Sequence, residues 1–530
     1  MTLAARVFVL AAALFLEKFL LNFFVDFDGA QRATGLGGVL RNVQHFGLRF
    51  CVTLGIALLV FSYASDSPRL TQMNDSARGT PLRMRWLLIH AALLLPLPPL
   101  LYTLYGDHGP ALPFALQASL CIAFVLASAF ALFAVMAPWA LWRDTAKALG
   151  TLWLYALIAA VAATCAILWI QMLWAPTAFV TFHLVHSLLS TFLIVQSDPA
   201  HLILSTDNFA VQVSDICSGL EGAGLMLAFC AAWLLYFRKE YIFPRALLLI
   251  PAGLVVIFAL NVLRIAALVV IGDKGFPEVA AYGFHSQAGW IAFNLAACGL
   301  AFASRRSVWL TRKEHLPREL HRDNPTAAYL LPFLAMLASG MIARAASDGF
   351  ELLYSLRLFV GGAVLFAYWR RFTSLDWRVS WWGPAAGVAV FALWIIGQPW
   401  VMTPARMPDT LAALPDGYRI LWISGRFLTG VLLVPIVEEL AYRGFLLRRL
   451  ASADFESVSF TAVGSWALII SSVVFGLGHG AMSVPAIAAG LIYGGVLMRT
   501  GRMGDAVSAH ATTNLLIALD VLLFGQWQLW

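Results

Sequence analysis

Long apolar runs dominate the chain. They fall near 3–25, 45–63, 86–104, 113–142, 149–174, 220–237, 245–271 and 286–304, then near 327–345, 354–369, 381–398, 418–450, 464–480, 484–499 and 505–524. A helix needs about 20 such residues to cross the hydrocarbon of a bilayer. The pattern therefore predicts an all-α, polytopic transmembrane bundle with about 15 spans. Glu17 and Lys18 interrupt the first run and no small-residue cleavage site follows, so it reads as an uncleaved span. Residues 177–196 hold His183, His186 and several Ser and Thr, and read as an amphipathic helix on the membrane surface. Residues 202–213 alternate apolar and polar positions around Asp207-Asn208, which predicts a small extracytoplasmic hairpin.

Charge orients these elements. Arg69, Arg78, Arg83 and Arg85, then Arg143 and Lys147, then Arg238, Lys239 and Arg245, then Arg305 to Arg322 mark successive cytoplasmic loops under the positive-inside rule. The stretch 305–326 is the most hydrophilic in the chain and holds Pro317 and Pro325 between two apolar series. It reads as a cytoplasmic linker between membrane domains at 1–304 and 327–530. Composition agrees: 61% of residues are hydrophobic and 12% charged, against about 25% charged in soluble chains. That excludes a soluble enzyme, a disordered chain and a disulfide scaffold. The net charge of +7 belongs to the inside loops, so no nucleic-acid partner is expected. The six cysteines form no CxxC pair, and only Cys217 lies among polar and small residues.

The hairpin leads directly into Asp215-Ile216-Cys217-Ser218-Gly219, with a membrane helix starting near Leu220. Cys217 therefore sits near a helix N-terminus on the outer face, where backbone N–H groups and the dipole suit an anionic sulfur. Arg264 lies seven residues before Ile271, about 10 Å from the outer end of the next span. An ionisable side chain at that depth is costly and marks a functional position, or else a structural pair with Glu221. His285 opens the following span. A thiol nucleophile, a guanidinium for an oxyanion and an imidazole for proton transfer form a consistent set. The CSG turn at Cys217, the NVLRI segment around Arg264 and the GFHSQAGW segment around His285 resemble the exosortase/archaeosortase family of membrane cysteine transpeptidases, over roughly residues 1–304. The resemblance implies that Cys217 is the nucleophile, Arg264 the oxyanion stabiliser and His285 the general acid/base. Many members have an arginine after CSG, where this chain has Leu220-Glu221-Gly222. That departure bears on the substrate pocket.

The second series holds Glu438-Glu439-Leu440-Ala441-Tyr442-Arg443 in an apolar helix, then Phe475-Gly476-Leu477-Gly478-His479, then His510 and Asn514 at helical spacing. Glu439 and Arg443 share a helix face and suit an ion pair. Depth along the spans brings Glu438, His479, His510 and Asn514 towards one polar cavity, expected to open to the cytoplasm, on the face opposite the first site. Gly490 and Gly494 predict close helix packing within the bundle. EExxxR, FxxxH and HxxxN in this order resemble the CPBP intramembrane protease family, related to type II CAAX prenyl endopeptidases, over roughly 327–530. That resemblance implies that Glu438 and His479 activate a water, His510 and Asn514 stabilise the oxyanion, and Glu439 and Arg443 orient the site. No cofactor is expected. Zinc held by Glu and His is the alternative, though HExxH is absent.

Together the halves resemble the exosortase E/protease fusions of VPEID-CTERM systems. The resemblance implies a multi-pass protein of a bacterial inner membrane whose partners are the bilayer and membrane proteins bearing a C-terminal sorting signal. The first half would cleave that signal and the second would be an intramembrane endopeptidase. A transporter or flippase, or a non-catalytic sorting receptor, would use the same polar intramembrane residues differently.

Overall fold

The computed structural model describes residues 48–64, 68–105, 112–312, 324–397 and 406–530, with scattered positions among the first 17. It is a polytopic helical membrane protein with one small sheet. Among the described residues, seven helices are long and apolar enough to cross a membrane, or eight if the bent pair Trp139–Leu149 and Leu152–Ala162 is one span. Five shorter apolar helices of 10–17 residues accompany them, so the expected count of about 15 is approached only if short helices also span. By packing, the chain forms two compact units, 1–172 and 173–530.

The first unit contains α1 (Leu48–Ala64), α2 (Pro68–Gly79), α3 (Arg85–Leu94), α4 (Leu97–Tyr105), α5 (Phe114–Met136), α6 (Trp139–Leu149) and the start of α7 (Leu152–Leu189). Leu97, Leu101 and Leu104 of α4 pack on Ala118 and Cys121 of α5. Buried His90 of α3 joins Ser128 Oγ at 2.9 Å to Glu17 Oε1 at 2.9 Å, so these three polar groups satisfy one another.

In the second unit, the last turns of α7 correct one expectation. Helix continues to Leu189, and Phe182, Val185 and Leu189 are fully buried against Val262, Ile265, Ala266 and Val269. This stretch is core, not a surface helix, because its apolar positions meet a neighbouring helix at i, i+3 and i+7. The predicted hairpin is present with one strand more: β1 (Gln196–Asp198), β2 (Ile203–Ser205) and β3 (Ala210–Gln212) pair antiparallel in that order. Leu204 stands opposite Ser197 and Val211. The β2–β3 tip seats Phe209 on Gly272, where no side chain would fit, and Asn208 Nδ2 donates to Asp273 O at 3.3 Å. The sheet thus caps one end of α9.

The helices that follow are α8 (Leu220–Tyr236), α9 (Leu249–Asp273), α10 (His285–Arg306), α11 (Pro325–Ala345), α12 (Leu356–Ala367), α13 (Trp382–Gly397), α14 (Asp416–Leu447), α15 (Ser465–Leu477), α16 (Ser483–Thr500) and α17 (Met503–Phe524). Met226 and Cys230 of α8, Ile257 of α9 and Ala296 and Ala297 of α10 form one core. Residues 313–323 of the linker read from the sequence lie outside the described ones, while α10 and α11 on either side pack together. Gly490 and Gly494 press α16 onto Ser472 and Leu468 of α15, as their spacing predicted. Gly383 and Gly387 do the same for α13 against α17.

Candidate active sites

The first site is built on a clamped turn. Residues Asp215–Ser218 form one turn of 3-10 helix between β3 and α8. Cys217 N donates to Ser214 O at 2.9 Å, and Ser214 Oγ lies 3.7 Å from Cys217 Sγ. Two side chains hold the turn from outside. Asn261 Nδ2 donates to Cys217 O at 2.9 Å, and Thr181 Oγ1 donates to Ser218 O at 3.2 Å. Gly219 then has φ +87°, and a Cβ there would come within 2.8 Å of Asn261 Nδ2. The glycine of the CSG turn is thus required both by conformation and by the close approach of Asn261.

Arg264 follows Asn261 by three residues on the same face of α9. Its guanidinium enters a cavity of about 250 Å³ lined also by Glu221, Asn261, His285, Gly289 and Trp290. Gly289 makes room for it, since a Cβ there would lie 2.9 Å from Arg264 Nη1. Arg264 Nε is buried with no hydrogen-bond partner, and no carboxylate lies within ion-pair distance among the described residues. Cys217, Glu221 and His285 all lie within electrostatic range of the guanidinium. His285 starts α10 directly after a π-helical turn, Val279–Phe284. The three predicted groups therefore gather around one region without bonding to one another. Cys217 itself is buried and is not part of the cavity lining.

The second site is a bonded network. Arg443 Nη1 donates to Glu439 Oε1 at 3.0 Å, and His510 Nδ1 meets the same oxygen at 3.0 Å. This is the ion pair that the i, i+4 spacing predicted. Arg443 Nη2 donates to Gly490 O at 3.1 Å, while its guanidinium lies 4.4 Å from the Phe475 ring centroid. Tyr493 stacks on His510 at 5.1 Å and donates to Thr513 Oγ1 at 2.7 Å. His479 Nδ1 lies 2.8 Å from Phe475 O. A carbonyl only accepts, so Nδ1 carries a proton, and in the neutral ring Nε2 keeps its lone pair. Asn514 Nδ2 donates to Gly430 O at 2.7 Å. Glu438 presents a buried Oε2 without a hydrogen-bond partner, within electrostatic range of His510, Glu439 and Arg443.

His479, His510 and Asn514 line a cavity of about 210 Å³, together with Tyr354, Arg426 and Trp530; Glu438 is outside that lining. The lining reaches from His510 and Asn514 on α17 to Arg426 on α14 and to Trp530. Gly283, two residues before His285 of the first site, packs against the carbonyls of Arg344 and Ser347. Zinc would need at least three protein ligands around one point. Among the described residues no three His, Cys, Asp or Glu side chains cluster in that way.

Asn261, Arg426, Tyr493 and Thr513 escaped the sequence reading. Asn261 had a signal, a polar residue one turn before an intramembrane arginine; the others had none beyond polarity.

Residues 41–302 match the transmembrane exosortase family, and residues 420–516 match the type II CAAX prenyl endopeptidase Rce1-like family. The chain joins an exosortase to an Rce1-like protease. Cys217, Arg264 and His285 fall in the first match, and Glu438, Glu439, Arg443, His479, His510 and Asn514 in the second. The exosortase/Rce1-like fusion is an integral membrane protein combining a sorting enzyme and a peptidase. No curated protein and no solved structure matches it.

Proposed function

We propose that the exosortase half cleaves C-terminal sorting signals from envelope proteins in a bacterial inner membrane. Cys217 Sγ attacks the scissile carbonyl carbon, and Arg264 balances the charge that develops on the carbonyl oxygen. The C–N bond breaks, His285 passes the proton that it took from the Cys217 thiol to the departing amine, and a thioester remains. Water or a second nucleophile then attacks the thioester and the sulfur leaves. The observation that carries this reading is Arg264, whose buried Nε is unbonded in a cavity shared with His285 and within reach of the Cys217 field. A guanidinium inside an apolar bundle, its Nε buried and unbonded, is costly. Its retention suits a charge that appears only during reaction.

The Rce1-like half is proposed as a second peptidase. Glu438 and His479 Nε2 activate a water, and His510 and Asn514 stabilise the oxyanion. Glu439 and Arg443 hold His510 in place. The test is processing of a tagged, signal-bearing protein in cells expressing wild type, Cys217→Ala or Glu438→Ala. Loss of processing in Cys217→Ala alone supports the division of labour. Normal processing by Cys217→Ala sinks the thiol mechanism and moves the sorting-receptor reading forward, which the absence of Cys217 from the cavity lining also favours.

A further inference from the structure

The helices of the second series meet the first site beside His285. Val279–Phe284 make a π-helical turn just before α10, with Ala280 and Gly283 buried. Gly283 faces the end of α11 with no side chain between. A Cβ there would overlap the carbonyl oxygens of Arg344 and Ser347 and stand 3.1 Å from that of Ala345. Those carbonyls are themselves held by the second series. Arg357 of α12 crosses α11 at Gly340, where a Cβ would lie 2.8 Å from its Nε, and reaches Glu351 at 2.5 Å. Trp422 Nε1 of α14 donates to Glu351 O at 2.9 Å. Ser347 Oγ donates to Arg344 O at 2.8 Å and tightens the turn that follows α11.

Backbone packed on backbone leaves no flexible side chain to absorb a shift, and close-packed interiors transmit one. His285 stands two residues beyond Gly283 and lines the first cavity. Gly289, one turn further along α10, borders Arg264 Nη1. A displacement of the π-helical turn therefore moves the imidazole relative to the guanidinium. Single π-helical turns occur often at functional sites. From this contact we infer that the second half positions the general acid of the first: the end of α11 holds the Val279–Phe284 turn, and with it His285, in register for proton transfer. Gly283 and Ser347 are positioning residues on the two sides of the contact. The inference rests on reading Cys217 and His285 as the machinery of the first site.

The test is cleavage of a tagged, signal-bearing protein by the full chain in detergent micelles, measured against pH and beside the melting temperature. Gly283→Ala should lower the rate about tenfold or more, since small misplacements of a catalytic group are costly. It should also move the limb of the pH profile set by His285 by about half a unit or more. Ser347→Ala adds no bulk. It should move the same limb with a smaller loss of rate and an unchanged melting temperature. The double variant should lose less than the product of the two single losses, because both act through one contact. A wild-type rate and profile in Gly283→Ala, with Cys217→Ala inactive in the same assay, overturns the inference and keeps the thiol mechanism. Lower melting temperatures with an unmoved profile also overturn it and leave the contact a purely structural one. If Gly283→Ala does not fold, an unmoved profile in Ser347→Ala decides against the inference. Normal cleavage by Cys217→Ala sinks the mechanism, and the inference falls with it.

Discussion

The two sites solve the problem of charge in a membrane in opposite ways. Around Cys217, the reactive groups are apart. The backbone of the turn is clamped by Asn261 and Thr181, while Arg264 is left with an unbonded Nε. Around Glu439, one carboxylate oxygen binds both Arg443 and His510, and the pair is almost wholly buried. The first arrangement fixes the scaffold and leaves the charge to meet a substrate. The second pairs Glu439 with Arg443 and His510 and fixes those side chains, leaving Glu438 Oε2 unbonded beside them. Loss of a group should therefore cost activity in the first site and stability in the second.

The largest expected effect is on chemistry. Cys217→Ala should lower signal processing by about 10³-fold or more, the scale for removing a nucleophile, with an unchanged melting temperature. Arg264→Met tests the comparison more severely. Processing should fall to a similar depth while thermal stability stays level or rises, since a charged group with a buried, unbonded Nε is removed. A clear loss of stability in Arg264→Met would show that the arginine is a structural partner after all.

Next comes the paired network. Arg443→Met should destabilise the chain by about 3–5 kcal/mol by stranding Glu439, seen as a fall in melting temperature in detergent. Adding Glu439→Gln to Arg443→Met should recover part of that loss. If the single variant melts like wild type, the pair is not holding the second domain together.

Asn261→Ala should be intermediate. Losing one hydrogen bond to a backbone carbonyl is worth about 1 kcal/mol in stability, yet processing should fall tenfold or more because the Cys217 turn loosens. Equal and small effects on both would make Asn261 a mere packing residue.

The smallest effect lies at the basic end, outside the membrane. The guanidinium and the backbone N–H of Arg378 both donate to the Asp376 carboxylate and hold it down at about 2. The ionised carboxylate is the form favoured by folding. Its contribution is complete above the ordinary value of 3.8 and is lost as pH falls towards 2. Asp376→Asn should therefore lower the melting temperature slightly at pH 7, and the difference should vanish near pH 2.

Much of this was legible along the chain, and the exceptions share a cause. The spans, the hairpin before Cys217, the helix-packing glycines and the Glu439–Arg443 pair all rest on local periodicity, which one segment carries by itself. The stretch 177–196 was misread because its histidines and hydroxyls looked amphipathic, while Phe182, Val185 and Leu189 found a partner in α9. The third strand was missed because Gln196–Asp198 is exposed and polar on both faces.

Residue order was enough to establish a helical membrane protein with two sets of intramembrane polar groups, because apolar length and motif spacing are properties of single segments. Only the folded chain decided that Asn261 clamps the nucleophile's turn, that Arg264 keeps an unbonded Nε beside the first cavity, and that His510 joins Arg443 on one oxygen of Glu439. Those facts depend on which side chains from distant helices meet and where space is left between them, and the pairing of helices is settled by packing that no single segment encodes.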